Sequence, residues 1–148
     1  MELSDEIRIT APKDHVYRSL NDPEILRQCI PGCESLEKVS DTEFTAVVAL
    51  KIGPVKARFN GAVELQDLNP PRSYTIVGEG KGGVAGFAKG GAEVSLKEDG
   101  AEATLLTYSA KADVGGKLAQ LGSRLIASTS KKLAGQFFSN FNETVSAG

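Results

Sequence analysis

His15 is the only histidine of the chain, and an imidazole is the one side chain that ordinarily titrates near neutrality. It stands among Lys13, Asp14 and Arg18, and no nucleophile or second catalytic group is fixed beside it in sequence. A solvated histidine on a short surface helix is therefore expected rather than a general base. Cys29 and Cys33 are the only cysteines, separated by Ile30, Pro31 and Gly32. A structural zinc needs four ligands, which two thiols and one distant histidine do not supply. A dithiol redox pair normally has two intervening residues and lies near a helix N-terminus. The expected role is that of small, partly buried apolar residues beside a Pro-Gly turn. Gly78-x-Gly80-x-x-Gly83 matches a dinucleotide fingerprint, with Glu98 further along. That fingerprint works only when a helix follows and points its N-terminus at the pyrophosphate. Here the residues that follow read as another strand. No Ser-His-Asp order and no paired-carboxylate motif is visible, so no catalytic residue and no metal ligand is assigned.

What stands out instead is a lack of bulk. Gly78 to Gly91 reads GEGKGGVAGFAKGG, with seven glycines in 14 residues. The flanking segments, Ser73–Val77 and Ala92–Lys97, look like ordinary strands. One alternating face of the second strand carries Val84, Gly86, Ala88, Gly90, Ala92, Val94 and Leu96. A packed core needs volume on its inner face. A Gly/Ala face leaves space instead, and space within a half-closed sheet is where a ligand sits.

The elements that would frame such a space follow from periodicity. Leu3–Ile9 reads as a first strand. Thr10-Ala11-Pro12 opens a short helix whose apolar side is Val16, Tyr17 and Leu20. Asn21-Asp22-Pro23 opens a second, carrying Ile25 and Leu26 and ended by Pro31-Gly32. Strands follow at Glu34–Ser40, Glu43–Ile52 and Val55–Leu68, the last with Phe59 and Gly61 on its inner face. After the glycine-rich pair, the turn Glu98-Asp99-Gly100 leads to a strand from Ala101 to Val114, with Leu106, Tyr108, Ala110 and Ala112 in register. Gly115-Gly116 breaks it. From Lys117 to about Val145, Leu118, Leu121, Leu125, Leu133, Phe137 and Phe141 recur at helical spacing, predicting one long helix. The order predicts an α+β fold: a curved antiparallel sheet with a long C-terminal helix across its concave face and two short helices plugging one end. Residues 1–148 are expected to form one domain.

At 148 residues, 41% hydrophobic and 24% charged, the composition is that of a globular protein. Net charge is -2, and no basic stripe interleaves with aromatics, which argues against nucleic acid. No apolar run reaches the length of a membrane span. MELSDEIRI lacks an apolar signal region, and with two cysteines in the chain this predicts a cytoplasmic location.

Four blocks carry a resemblance. APKDHVYRSLNDPEILRQCIPGCESLE (Ala11–Glu37), KIGPVKARFNG (Lys51–Gly61), AGFAKGGAEVSL (Ala85–Leu96) and TYSAKADVGGKLAQLGSRLI (Thr107–Ile126) are similar, in this order, to the carbon monoxide dehydrogenase G-subunit family. The resemblance spans essentially the whole chain. It implies a helix-grip fold of the START and Bet v 1-like (SRPBCC) superfamily, with a seven-stranded sheet. It also implies an accessory protein of a molybdenum hydroxylase such as carbon monoxide dehydrogenase. Such a protein carries a lipid or isoprenoid quinone, has no tightly bound cofactor, and touches the inner face of the cytoplasmic membrane transiently. Members with a C-terminal extension contact the membrane through it. This chain ends at Gly148, so direct anchoring is not expected.

The expected ligand contacts are Ile25, Leu26, Ile30, Phe59, Gly86, Phe87, Ala88, Tyr108, Ala110, Leu118, Leu121 and Leu125. Tyr108 is the expected polar contact, its hydroxyl bonding a ligand carbonyl. The parity of Phe87 puts it off the Gly/Ala face, as an exposed gate or membrane-touching residue, and the most exposed element of the mouth. Phe137, Phe138 and Phe141 suit helix-to-sheet packing. Two alternatives stand beside the carrier: a ligand-free assembly or recruitment factor for the same enzyme, and a small cyclase- or hydrolase-like enzyme of the same superfamily.

Overall fold

The computed structural model describes residues 1–146; Gly148, where the sequence reading ends the chain, lies outside them. The strands are β1 (Glu2–Ile9), β2 (Cys33–Lys38), β3 (Glu43–Ile52), β4 (Val55–Asn69), β5 (Ser73–Lys81), β6 (Phe87–Glu98) and β7 (Thr104–Gly115). The helices are α1 (Lys13–Leu20), α2 (Pro23–Cys29), α3 (Lys117–Gln120) and α4 (Ser123–Ser146). The strands form one antiparallel sheet in the order β1-β7-β6-β5-β4-β3-β2. Consecutive strands pair as hairpins, except that β1 joins the far edge beside β7. The helix-grip architecture expected from the sequence is present: a curved sheet around a long C-terminal helix.

Local chemistry accounts for the elements. Asp22 caps α2, its Oδ1 accepting from the Glu24 amide at 2.9 Å, and Pro23 occupies the first turn. α4 has 24 residues, so it is about 36 Å long. Phe141 and Val145 bury its C-terminal half in the main core with Ile9, Val16, Leu106 and Tyr74. The Thr10 amide donates to Asn142 Oδ1 at 2.9 Å, and Thr10 and Ser146 join hydroxyls, which ties β1 to the last turns of α4. A second, smaller cluster at the other end holds Phe59, Ala85, Leu118 and Ile126, with Ile52, Val55 and Leu121 against it.

Two expectations are corrected. The C-terminal helix is not continuous from Lys117. α3 stops at Gln120, and Gly122, at φ +90°, turns the chain before α4 begins at Ser123. An L side chain resists that conformation, so the break is set by Gly122. Second, the strand face expected to start at Val84 starts later, at Phe87. β5 continues to Lys81 and β6 begins at Phe87, with Gly78 opposite Gly90 and Gly80 opposite Ala88. Between them, Gly83–Ala85 form a single 3-10 turn, so Val84 and Gly86 do not belong to the β6 face.

Candidate functional site

An apolar cleft of about 450 Å³ opens on the concave face of the sheet. β3 contributes Val48, Leu50 and Ile52, and β4 contributes Phe59, Gly61 and Val63. β5 adds Ile76, Gly78 and Gly80; β6 adds Ala88, Gly90 and Ala92; β7 adds Ala110 and Ala112; and Leu118 of α3 covers one end. Strand alternation puts these side chains on one face. The charged residues at the border, Glu79, Lys89 and Lys111, have the opposite parity and point away from the cleft.

The glycines do two different jobs. At Gly61 and Gly80 an added Cβ would find its nearest neighbours at 3.8 and 4.0 Å, so these positions leave room. At Gly90 a Cβ would lie 2.0 Å from the Lys111 carbonyl oxygen, and at Gly91 2.5 Å from that of Ile76. There the neighbouring backbones approach too closely for any side chain, and the sheet bends. Gly86, expected among the ligand contacts, is of this second kind. Its φ is +108°, and a Cβ would lie 2.0 Å from the Gly115 carbonyl oxygen. It seats the 3-10 turn on the end of β7 and does not line the cleft.

A second apolar space of about 260 Å³ lies deeper, toward the two short helices. Leu20, Leu26, Ile30, Leu36, Phe44, Leu65, Tyr74, Val94, Leu106, Phe137 and Phe138 enclose it. Val63 and Ile76 line both spaces and form the partition between them. The expected contacts therefore divide. Phe59, Ala88, Ala110 and Leu118 lie on the cleft, while Leu26 and Ile30 lie on the inner chamber. Ile25 packs against the main core and Leu121 against the smaller cluster. Leu125 approaches the β3–β4 turn, where its Cδ2 would lie 2.9 Å from a Cβ on Gly53.

Phe87 lies off the Gly/Ala face and exposed, as its parity predicts, but does not line the cleft, and Tyr108 is placed differently from expectation. Phe87 is 44% exposed and lies opposite Gly115 on the outer face, its ring within 2.3 Å of where a Gly115 Cβ would stand. It shields a glycine backbone, as aromatics across from strand glycines do. It is also not the most exposed apolar side chain near the mouth, since Val84 is 85% exposed. Tyr108 does face inward, but α4 covers it. It stacks on Phe138 with ring centroids 5.3 Å apart. It borders a separate crevice of about 310 Å³ between β1 and α4, with Asp5, Arg8 and Lys131. Burial, and then the negative charge of Asp5, raise its phenol pKa above the ordinary value. Tyr74 is the phenol that lines an apolar space, and the sequence reading passed over it. Burial pushes its pKa up strongly, with a further contribution from Tyr17, whose ring meets it edge-on at 5.5 Å. The alternation Tyr74, Ile76, Gly78, Gly80 was the signal that placed it on the inner face.

The residues with chemical potential do not assemble. Cys29 is fully buried and donates to Thr144 Oγ1 at 3.7 Å, while Cys33 donates to the Ser35 carbonyl at 3.3 Å. Burial raises both thiol pKa values, the opposite of what a nucleophilic or metal-binding thiolate requires. His15 is half-buried rather than solvated, and its Nε2 is buried without a hydrogen-bond partner. Among the described residues no group of three His, Cys, Asp or Glu side chains is placed to hold a metal. A single 3-10 turn and then β6, not an α-helix, follow the fingerprint glycines, so they lack the helix N-terminus that would bind a pyrophosphate.

The family model for the G subunit of carbon monoxide dehydrogenase (CoxG) matches residues 6–146. The chain belongs to the CoxG family. This CoxG-family chain is 31% identical to a conserved protein from Geobacillus kaustophilus, with a TM-score of 0.93 over 99% of this chain and 96% of that one. Its fold is shared more widely. The ZhuI aromatase/cyclase from Streptomyces sp. R1128 superposes with a TM-score of 0.72 at 11% identity, over 98% of this chain and 93% of that one. A START superfamily protein from Mycobacterium smegmatis gives 0.66 at 15% identity, over 99% and 94%. No curated protein matches the chain. No described helix of this CoxG-family protein is long and apolar enough to cross a membrane.

Proposed function

We propose that this CoxG-family protein is an accessory carrier for a molybdenum hydroxylase such as carbon monoxide dehydrogenase. It holds a lipophilic molecule, an isoprenoid quinone or lipid, in the concave cleft and couples the enzyme to the membrane from which that molecule comes. It performs no chemistry of its own on the ligand. The observation that carries this reading is the cleft, roofed by Leu118 and floored by Ala88, Ala92, Ala110 and Ala112 where a core would place larger side chains. Its volume of about 450 Å³ falls in the range of small-molecule sites.

The energetics suit a carrier. Burying about 400 Å² of an isoprenoid tail at about 25 cal/mol per Å² gives about 10 kcal/mol gross. Lost rigid-body freedom and tail ordering remove much of it, leaving roughly micromolar affinity. Release is then fast enough for shuttling.

The test is uptake of a decyl-tailed benzoquinone by the purified protein, followed by native mass spectrometry or equilibrium dialysis. Wild type should take up one molecule. Ala110→Leu should weaken uptake at least tenfold with little change in thermal stability, because it fills empty space. A filled core would instead lose about 1–3 kcal/mol to overpacking. Uptake that is absent in wild type, or unaffected by Ala110→Leu, defeats the carrier reading.

A further inference from the structure

β1 breaks the apolar pattern of the inner face. It is an edge strand, and Ile7 and Ile9 point from it into the main core. Asp5 has the same parity, so its carboxylate is on the side that α4 covers. Across the crevice of about 310 Å³ stands Lys131 of α4. No ion pair joins Asp5 or Lys131 to another described residue. Opposite charges that line one crevice without meeting suit a ligand that carries both charges itself.

The main chain of β1 adds a donor and an acceptor. Met1 and Ala112 exchange both of their backbone hydrogen bonds, each at 2.9 Å, and the register runs unbroken to Ile9. The odd-numbered residues of β1 therefore bond to β7, and the even-numbered ones turn their amides and carbonyls to the free edge. The Glu6 amide donates to Asp5 Oδ1 at 2.8 Å, and the Thr10 amide to Asn142 Oδ1 at 2.9 Å. Arg8 stands between them and lines the crevice, its guanidinium held by Asp99 at 2.8 Å. Its amide and carbonyl face the free edge. An added strand finds the amides on both sides already bonded, whereas a single residue finds one donor and one acceptor. The floor is apolar: Tyr108 and Phe138, stacked with centroids 5.3 Å apart, both line the crevice. Gly135 opens the α4 wall, exposed and with nothing within 4 Å of where its Cβ would stand. Glycine inside a helix costs stability relative to alanine, and no packing contact here requires it.

We propose that the crevice between β1 and α4 is a binding site for a small zwitterion of the α-amino acid type with an apolar side chain. Asp5 faces its ammonium group and Lys131 its carboxylate. The Arg8 main chain supplies one donor and one acceptor, and the side chain packs on Tyr108 and Phe138. The volume falls at the lower end of the range for small-molecule sites. The site is separate from the cleft and the inner chamber, since neither Asp5 nor Lys131 lines either of them.

Titration of isotope-labelled protein with L-phenylalanine, followed by amide NMR, tests the assignment. Wild type should show saturable shifts at Arg8, Gly135 and Asn142, and none at the cleft residues Gly80 and Gly90. Hydrocinnamate lacks the ammonium group and phenethylamine lacks the carboxylate. Each should bind about tenfold more weakly, the worth of one hydrogen bond to a charged group. Asp5→Asn keeps the oxygen that accepts from Glu6; it should weaken phenylalanine by about the same factor and leave hydrocinnamate unchanged. Lys131→Gln should weaken phenylalanine and leave phenethylamine unchanged. Both side chains are exposed, so melting temperature should stay at the wild-type value. Uptake of decyl-tailed benzoquinone should also be unchanged in both variants, and its loss would merge the crevice with the carrier site and overturn the proposal. Absence of saturable shifts, shifts confined to the cleft, equal affinity for all three probes, or variants that bind phenylalanine like wild type would each overturn it as well.

Discussion

Cys29 shows what a buried thiol does to stability. Its folded pKa is raised by burial above the ordinary value of 9.0, as is that of Cys33. In the unfolded chain the thiols ionise first as pH rises. The stability they contribute is therefore full below that ordinary value and is lost as pH climbs through the folded pKa. Tyr17, Tyr74 and Tyr108 are raised in the same direction from 10.0, so the phenols extend the loss further into alkali. The protein should become steadily less stable above pH 9, and Cys29→Ala should flatten the first part of that fall. The variant also loses the contact with Thr144, at about 1 kcal/mol at all pH values. Urea unfolding at a series of pH values checks both, and a slope identical to wild type refutes the assignment. The apolar character of Cys29 was legible from its place beside Pro31-Gly32. The half-burial of His15 was not, because helix patterning ranks faces and does not reveal what packs over them. Tyr108 had the right parity, yet which turn of α4 covers it depends on the helix break at Gly122.

At the scale of elements, the glycine-rich segment was legible as an inner face without bulk, and alternation placed Ala88, Gly90 and Ala92 correctly. Alternation could not separate glycines that leave room from glycines that let backbones cross, since both read as the same letter. The structure separates them, and two substitutions measure the difference. Gly86→Ala meets both a φ of +108° and a carbonyl oxygen 2.0 Å from the new methyl, so it should cost about 2 kcal/mol or more. Gly80→Ala has its nearest neighbour at 4.0 Å and no unusual φ, and it restricts the unfolded chain. It should stabilise by about 0.4–1 kcal/mol while narrowing the cleft. Thermal unfolding of the two variants side by side is the measurement. A Gly80→Ala protein that melts well below wild type would mean that the space beside Gly80 is not there. The seven-stranded helix-grip fold followed from the family resemblance, which covered essentially the whole chain, whereas the pairing of β1 with β7 comes from the structure. The one-turn α3 did not, because the leucine spacing from Leu118 to Leu125 continues through a glycine that periodicity tolerates.

Among the described residues the cleft and the inner chamber lie in series, and the sequence reading merged them into one. Leu26 and Ile30 on α2 and Ala88 and Ala110 on the sheet were all read as lining a single pocket. Sequence gives the inner face of each element but not the depth at which two side chains, Val63 and Ile76, pinch the space between them. That pinch has a consequence for what the protein holds. A cavity of about 150 Å³ accepts a benzene ring, so a chamber of about 260 Å³ accepts a branched chain end of roughly two isoprene units. A long-tailed ligand would use both spaces, with its ring in the cleft and its chain end beyond Val63 and Ile76. A ligand with a short tail would use the cleft alone. Val94 is the residue with which to separate them, because it lines the chamber and not the cleft. Val94→Phe should place a ring in the chamber at little cost in stability, well under the roughly 1–3 kcal/mol of true overpacking. Its affinity for a benzoquinone with one isoprene unit should match wild type, and its affinity for a four-unit homologue should fall at least tenfold. If Val94→Phe weakens both ligands equally, the two spaces act as one. If it weakens neither, the chain end does not pass the partition and the chamber is simply an unfilled part of the core.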